Sequence, residues 1–191
     1  MSSPAVHSVH FYDHDEALIS RLQNIVSSSL ESGSSVLIVA TEEHRQQLAL
    51  ALEQSGIALS SLPAGQLQML DAREVLAHFM VHGRPNQKRF VESVGTLITT
   101  AREAAHNASR GLTIFGEMVA VLWSDGNTTA ALELERLWND LLHDRSFHLH
   151  CAYPRWILKN NLHNLTIKSI CDEHSSVLGF APHLSHSAAT H

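Results

Sequence analysis

The stretch LTIFGEMVAVLW, residues 112–123, is an apolar segment interrupted by one glycine, Gly116, and one charged residue, Glu117. A carboxylate in apolar surroundings is costly unless it is paired, hydrogen-bonded or raised in pKa. The run before Gly116 is typical of a buried strand, and the run after Glu117 predicts a helix. We therefore expect Glu117 at the carboxyl end of a strand. A simpler interpretation places it in the first turn of the helix, where the helix dipole favours an acid by about 0.3–1 kcal/mol.

Similar apolar runs alternate with segments of helical period along the rest of the chain. Further strands are predicted at residues 9–12, 36–40, 67–70 and 147–153. Helices are predicted at about residues 13–33, 41–56, 72–80, 87–106, 129–143 and 166–176, with Asp13, Thr41 and Asp71 as N-terminal caps. This rhythm predicts an α/β protein, a three-layer sandwich around a mainly parallel sheet. No linker divides the chain, so we expect one domain over residues 1–180 and a loose tail over 181–191.

Charge and composition exclude several classes of protein. The chain has 13 basic and 19 acidic residues and no basic block, so a direct nucleic-acid partner is not expected. The start has no apolar leader, and no window approaches the roughly 18–20 apolar residues that cross a bilayer. Cys151 and Cys171 fit no disulfide framework. We therefore predict a cytoplasmic protein that does not bind a membrane.

The motifs of common enzymes and metal proteins are missing. The junction VLIVATEEHRQQ, residues 36–47, has no glycine and two acids, so it is not a phosphate-binding loop, and neither a GxGxxG nor a GxSxG motif occurs. Histidine is abundant, at 15 residues, but its spacing matches no zinc motif. The sequence thus predicts no catalytic residue, no cofactor and no metal site.

Polar side chains follow each predicted strand. In open parallel sheets ligands bind outside the carboxyl ends of the strands, so residues gathered there form the best candidate site. For Asp71, helix capping alone is a sufficient explanation. Tyr12 and Tyr153 fit equally well as half-buried aromatic residues with a hydroxyl at the surface. The residues expected at this common rim are Tyr12, Thr41, Asp71, Glu117 and Tyr153.

Several separated segments, in order from about His10 to Val177, resemble the MEDS family, the DcmR-like sensory domain. The segments that carry the resemblance are HFYDHDEAL, VLIVATEEHR, LDAREVLAHFMVHGRPNQKRF, FGEMVAVLWSDGNTTAALELERLWNDLL, FHLHCAYP and ICDEHSSV. The resemblance implies a relative of RecA/KaiC-type ATPases that lacks the P-loop and senses small organic, hydrocarbon-derived ligands. It also implies signalling partners such as a histidine kinase, an anti-sigma factor or a transcription regulator.

The resemblance also marks individual positions, and it adds His10 and Arg84 to the candidate ligand-binding residues. One departure is His82, where the family often has an acid. The marked positions are His10, Phe11, Tyr12, Thr41, His44, Arg45, Asp71, Gly83, Arg84, Pro85, Gly116, Glu117, Trp138, Asn139, Tyr153 and Pro154.

Three functions are compatible with these observations. The first is a non-catalytic sensor that binds a small organic ligand at the carboxyl end of the sheet and signals to a partner protein. The second is a degenerate nucleotide-binding, ATPase-like protein. The third is a structural interaction module, for example a homodimer through the predicted helix at 129–143, whose apolar stripe holds Leu134, Leu137, Trp138 and Leu141.

Overall fold

The protein is described by a computed structural model that covers residues 6–104, 111–159 and 164–179. The strands are β1 (Val6–Tyr12), β2 (Ser35–Ala40), β3 (Leu67–Asp71), β4 (Met80–Val81), β5 (Arg84–Pro85), β6 (Leu112–Gly116), β7 (His148–Pro154) and β8 (Ser176–Leu178). The helices are α1 (Asp15–Glu31), α2 (Glu42–Gln54), α3 (Ala72–Phe79), α4 (Gln87–Glu103), α5 (Met118–Ser124), α6 (Thr128–Asp144) and α7 (Asn164–Asp172).

Six strands form one central sheet in the order β3-β2-β6-β7-β1-β8. Every neighbouring pair in this sheet is parallel. The predicted α/β architecture with a parallel central sheet is therefore confirmed. Among the described residues, no helix is both long and apolar enough to cross a membrane.

Helices cover both faces of the sheet, and alternate residues of each strand point to opposite faces. The α1–α2 face buries side chains such as Leu22 and Leu48 against the sheet. The opposite face carries α3 to α7 and a larger core that includes Phe90 and Trp138. The sheet and the helices on its two faces form the three layers that the sequence pattern predicted.

Two strand features differ from the sequence prediction. The predicted helix at 166–176 is α7 followed by the three-residue edge strand β8, which is too short to show a period. No strand was predicted near Gly83, where the structure has a small antiparallel hairpin of β4 and β5. Its turn uses positive φ at His82 (50°) and Gly83 (76°), a conformation that tight hairpin turns require.

The predicted caps are confirmed in two of three cases. The Thr41 and Asp71 side chains accept backbone N–H bonds at the starts of α2 and α3. Asp13 does not cap α1, because His14 occupies the N-cap position and its side chain makes no capping bond. Asp13 instead lies 3.3 Å from the guanidinium of Arg155. The predicted end of the fourth helix at residue 106 and the predicted tail at 181–191 lie outside the described residues.

Candidate functional site

The Glu117 side chain lies where the sequence predicted it, directly after β6, and it is only 4% exposed. The backbone N–H of Thr41 donates to its Oε2 at 2.9 Å. The Nδ1 atom of His44 lies 2.7 Å from its Oε1. Glu117 occupies the N-cap position of α5 but makes no capping bond there. Its carboxylate therefore joins the end of β6 to the start of α2 instead of stabilising its own helix.

His44 connects this carboxylate to Asp15 and Tyr12. Its Nε2 lies 3.4 Å from Asp15, and its ring meets the Tyr12 ring edge-on with centroids 6.4 Å apart. Burial alone would lower the pKa of His44, but the hydrogen bond and charge of Glu117, together with Asp15, outweigh it and raise that pKa above its ordinary value. Burial, followed by the charges of Glu117 and Asp15, raises the pKa of Tyr12. The tyrosine therefore keeps its proton.

The topology explains why this group forms. Thr41 follows β2 and Glu117 follows β6, and these strands are neighbours. The chain leaves β2 toward the α1–α2 face and leaves β6 toward the opposite face. Such a divergence of loops opens a crevice at the carboxyl end of a parallel sheet. Here the carboxylate of Glu117 lies in the crevice and accepts hydrogen bonds from the α2 side.

An open cleft of about 450 Å³ adjoins this group at the ends of β2 and β3. Asp71 on its wall is 2.9 Å from Arg45 and accepts the N–H groups of Arg73 and Glu74. Burial opposes ionisation of Asp71, but these bonds outweigh it and lower its pKa. The lining residues are polar, and three of the six are acidic: Thr41, Glu42, Glu43, Gln46, Asp71 and Arg73.

Three predicted site residues lie elsewhere. Tyr153 points to the other face of the sheet, because it follows the same alternation as Leu149 and Cys151, and it is fully buried. His10 lines a separate groove of about 490 Å³ beside α1. Arg84 pairs with Glu133 at a third groove of about 500 Å³. The structure thus brings Tyr12, Thr41, Asp71 and Glu117 to the carboxyl ends of β1, β2, β3 and β6. Tyr153 lies at the same end of β7 but on the other face, and His10 and Arg84 line separate grooves.

His10 and Tyr153 also differ in their electrostatics. Burial, with the charges of Arg21 and Arg155, lowers the pKa of His10. Burial, with the charge of Glu135, raises the pKa of Tyr153, so its hydroxyl donates to Glu135 Oε1 at 2.8 Å. Whether any of the predicted residues binds a ligand stays a prediction.

The predicted site left out two residues that organise these regions. His44 is among the positions that the resemblance marks, and its signal is its place one turn after the Thr41 cap. Glu135 gave no signal, because an acid on an amphipathic helix is ordinarily solvated. The structure instead places it fully buried beside His7, Cys151 and His174.

Comparison with known protein families found a match over most of the chain. The family model described as MEDS, MEthanogen/methylotroph, DcmR Sensory domain, matches residues 6–169, which is most of the chain. No curated protein matches the chain.

Proposed function

Because the chain belongs to the MEDS family of sensory domains, we propose that it is a non-catalytic sensor of a small organic ligand. The ligand binds in the cleft between Thr41 and Asp71, and the bound state is read by a partner protein. A ligand of this kind acts only if its affinity differs between two conformations of the protein.

The observation that carries the proposal is the position of Thr41. Thr41 lines the cleft, and its backbone N–H donates to the buried carboxylate of Glu117. A ligand that shifts the start of α2 changes this bond and the neighbouring contact between Glu117 and His44. The cleft is therefore linked directly to a buried group that bridges α2 and α5.

The charges around the cleft favour a particular ligand chemistry. Glu42, Glu43 and Asp71 are acidic, and the guanidinium of Arg73 is already held by Asp125 through contacts of 2.8 and 3.0 Å. The cleft therefore favours neutral or cationic molecules that donate hydrogen bonds, such as small alcohols, amides and amines. It disfavours phosphates and other anions.

The nucleotide-binding alternative has little support in this geometry. Phosphates bind where free backbone N–H groups and a helix N-terminus meet. At the start of α2 the N–H of Thr41 is taken by Glu117, and two further acids follow in Glu42 and Glu43. ATP hydrolysis that is lost in Glu117→Gln would reverse this ranking.

The interaction-module alternative loses its main feature. The stripe on α6 expected to bind a second copy is core, because Leu134, Trp138 and Leu141 are buried. Leu137 is partly buried against the same core. A histidine kinase, an anti-sigma factor or a transcription regulator remains our proposed type of partner. Light scattering of the purified chain tests for a homodimer formed through another surface.

A thermal-shift screen with small alcohols, amides, amines, carboxylates, halogenated hydrocarbons and nucleotides tests the sensor proposal. A ligand present at 100 times its Kd stabilises the protein by about 2.7 kcal/mol. The matched variants are Gln46→Ala, inside the cleft, and Gln47→Ala, one residue on and outside its lining. Each glutamine bonds the glutamate four residues earlier, so the two changes are alike in the free protein.

We expect Gln46→Ala to reduce the ligand-induced shift and Gln47→Ala to leave it unchanged. Equal losses in both variants, or no response to any compound, would contradict binding in this cleft.

A further inference from the structure

A second polar group, buried on the opposite face of the sheet, has the composition of a metal site. His7 comes from β1, Glu135 from α6, Cys151 from β7, and His174 from the turn before β8. Their exposed fractions are 4%, 0%, 1% and 9%. One nitrogen, sulfur or oxygen atom from each residue lies within 4.8 Å of the other three.

Four of the six distances between these atoms match a tetrahedral shell, and the other two are within 4.8 Å. Bond lengths to zinc imply separations of about 3.3 Å between nitrogen and oxygen ligands and about 3.5 Å when one ligand is sulfur. The Oε2 atom of Glu135 lies 3.4 Å from Nε2 of His7, 3.4 Å from Nε2 of His174 and 3.6 Å from Sγ of Cys151. Nε2 of His7 lies 3.4 Å from that sulfur.

Outer hydrogen bonds direct the lone pairs of both histidines inward. Nδ1 of His174 lies 2.6 Å from the carbonyl oxygen of Ile170, which can only accept, so this nitrogen is the donor. Nδ1 of His7 lies 2.8 Å from Oδ1 of Asn139. The amide of Asn139 is held in this orientation because its Nδ2 donates to the carbonyl and carboxylate of Glu173. When its ring is neutral, each histidine therefore presents Nε2 to the cluster as an acceptor.

The carboxylate is oriented in the same way. Tyr153 donates to Oε1 of Glu135 and leaves Oε2 facing the two imidazoles. Two imidazole nitrogens and a carboxylate oxygen thus meet with a single thiol as the available donor. Nε2 of His174 is buried and finds no hydrogen-bond partner among the described residues. A cation would satisfy all of these acceptors together, and such second-shell bonds are typical of metal ligands.

We propose that His7, Glu135, Cys151 and His174 bind one Zn²⁺-type transition-metal ion. Two imidazoles, a thiolate and a carboxylate form a donor set that suits Zn²⁺ and leaves no open position, so the site is structural. Binding releases the thiol proton of Cys151 to solvent. The ion joins the turn before the edge strand β8 to β1, β7 and α6, and it thereby fixes the end of the domain to the sheet.

Titration of the chelator-treated full chain with Co²⁺ tests the site directly. We expect saturation at one Co²⁺ per chain, with the strong visible bands of tetrahedral cobalt and a sulfur-to-cobalt charge-transfer band. Cys151→Ser should lose the charge-transfer band, and the matched Cys171→Ser should keep it, because Cys171 lies outside the cluster. Zn²⁺ should displace Co²⁺ and raise the melting temperature of the unmodified chain.

A second variant keeps the test decisive if changes in the core prevent folding. Asn139 is only partly buried and lies outside the four ligands, and Asn139→Ala removes the bond that orients His7. It should weaken Zn²⁺ affinity by about 10- to 100-fold. The control Asp140→Ala changes the next, exposed residue of α6 and should have no effect.

Two results would overturn the proposal. One is a folded chain, verified by circular dichroism, that binds neither Zn²⁺ nor Co²⁺. The other is metal binding that is unchanged in Cys151→Ser and Asn139→Ala. Neither result depends on the ligand screen, so the metal site and the sensor function can fail separately.

Discussion

Glu117 and Glu135 are two buried carboxylates on opposite faces of the same sheet, and they differ in what surrounds them. Glu117 lies against a backbone N–H and the imidazole of His44. Glu135 has one hydroxyl donor, Tyr153, and otherwise meets a thiol and two imidazole nitrogens that face it as acceptors. The carboxylate at the carboxyl end of the sheet is therefore satisfied by donors of the chain itself, whereas the other lies among groups that can act as metal ligands.

This difference shows that burial alone does not define the role of an acidic residue. Both side chains are almost inaccessible, so the cost of removing each charge from water is similar. The two carboxylates differ in the number and type of hydrogen-bond donors around them. Glu117 works as a link between elements, while Glu135 has the surroundings of a ligand.

Glu135→Ala should produce the largest effect. In Zn²⁺-loaded protein it removes the carboxylate that compensates the buried ion and the acceptor of the Tyr153 hydroxyl, and we expect a loss of about 3–5 kcal/mol in the free energy of unfolding. Urea denaturation measures this loss. The control Glu133→Ala, two residues earlier and paired with exposed Arg84, should cost about 0–1 kcal/mol. Similar losses in the two variants would contradict a special role for Glu135.

Glu117→Gln should have an intermediate effect. An amide cannot accept from both Thr41 and His44 through its two ends, so one buried contact is lost at a cost of about 1–3 kcal/mol. Urea denaturation again gives the change, with the exposed Glu74→Gln as the control. If Glu117→Gln is as stable as this control, the link between α2 and α5 does not contribute to stability.

The pair of His44 and Glu117 should show a defined pH dependence. The pKa of His44 is raised in the folded protein by Glu117 and Asp15, against the effect of burial. Its stabilisation is therefore full below the unfolded pKa of about 6.5 and is lost as the pH rises through the raised value. The melting temperatures of the unmodified chain and His44→Gln should converge toward alkaline pH. A difference that grows with pH would reverse this assignment; exposed His14→Gln is the control.

Arg73→Ala should have the smallest effect. The side chains of Arg73 and Asp125 are 63% and 47% exposed, and an exposed ion pair contributes only about 0.2–1 kcal/mol. The loss should disappear in high salt, where Arg73→Ala and the unmodified chain should unfold at the same urea concentration. A salt-independent loss would mean that Arg73 supports the cleft by packing.

Sequence reasoning predicted the sheet, most of the helices and the position of Glu117. Short apolar runs and capping residues can be recognised from residues that are close together in the sequence. It overlooked β8, since three residues at an edge carry no readable period. It also grouped Tyr153 with Tyr12, although the two side chains point to opposite faces. Which face a strand residue occupies depends on register, and register is set by packing.

The sequence by itself determined the α/β class, the parallel sheet and the resemblance to a sensory family, since all three follow from local patterns. Only the tertiary structure decided that Glu117 contacts His44, and that His7, Glu135, Cys151 and His174 meet. These residues are up to 167 positions apart, from 7 to 174. No local spacing predicts such a cluster, because it forms only when strand order and helix packing bring distant segments together.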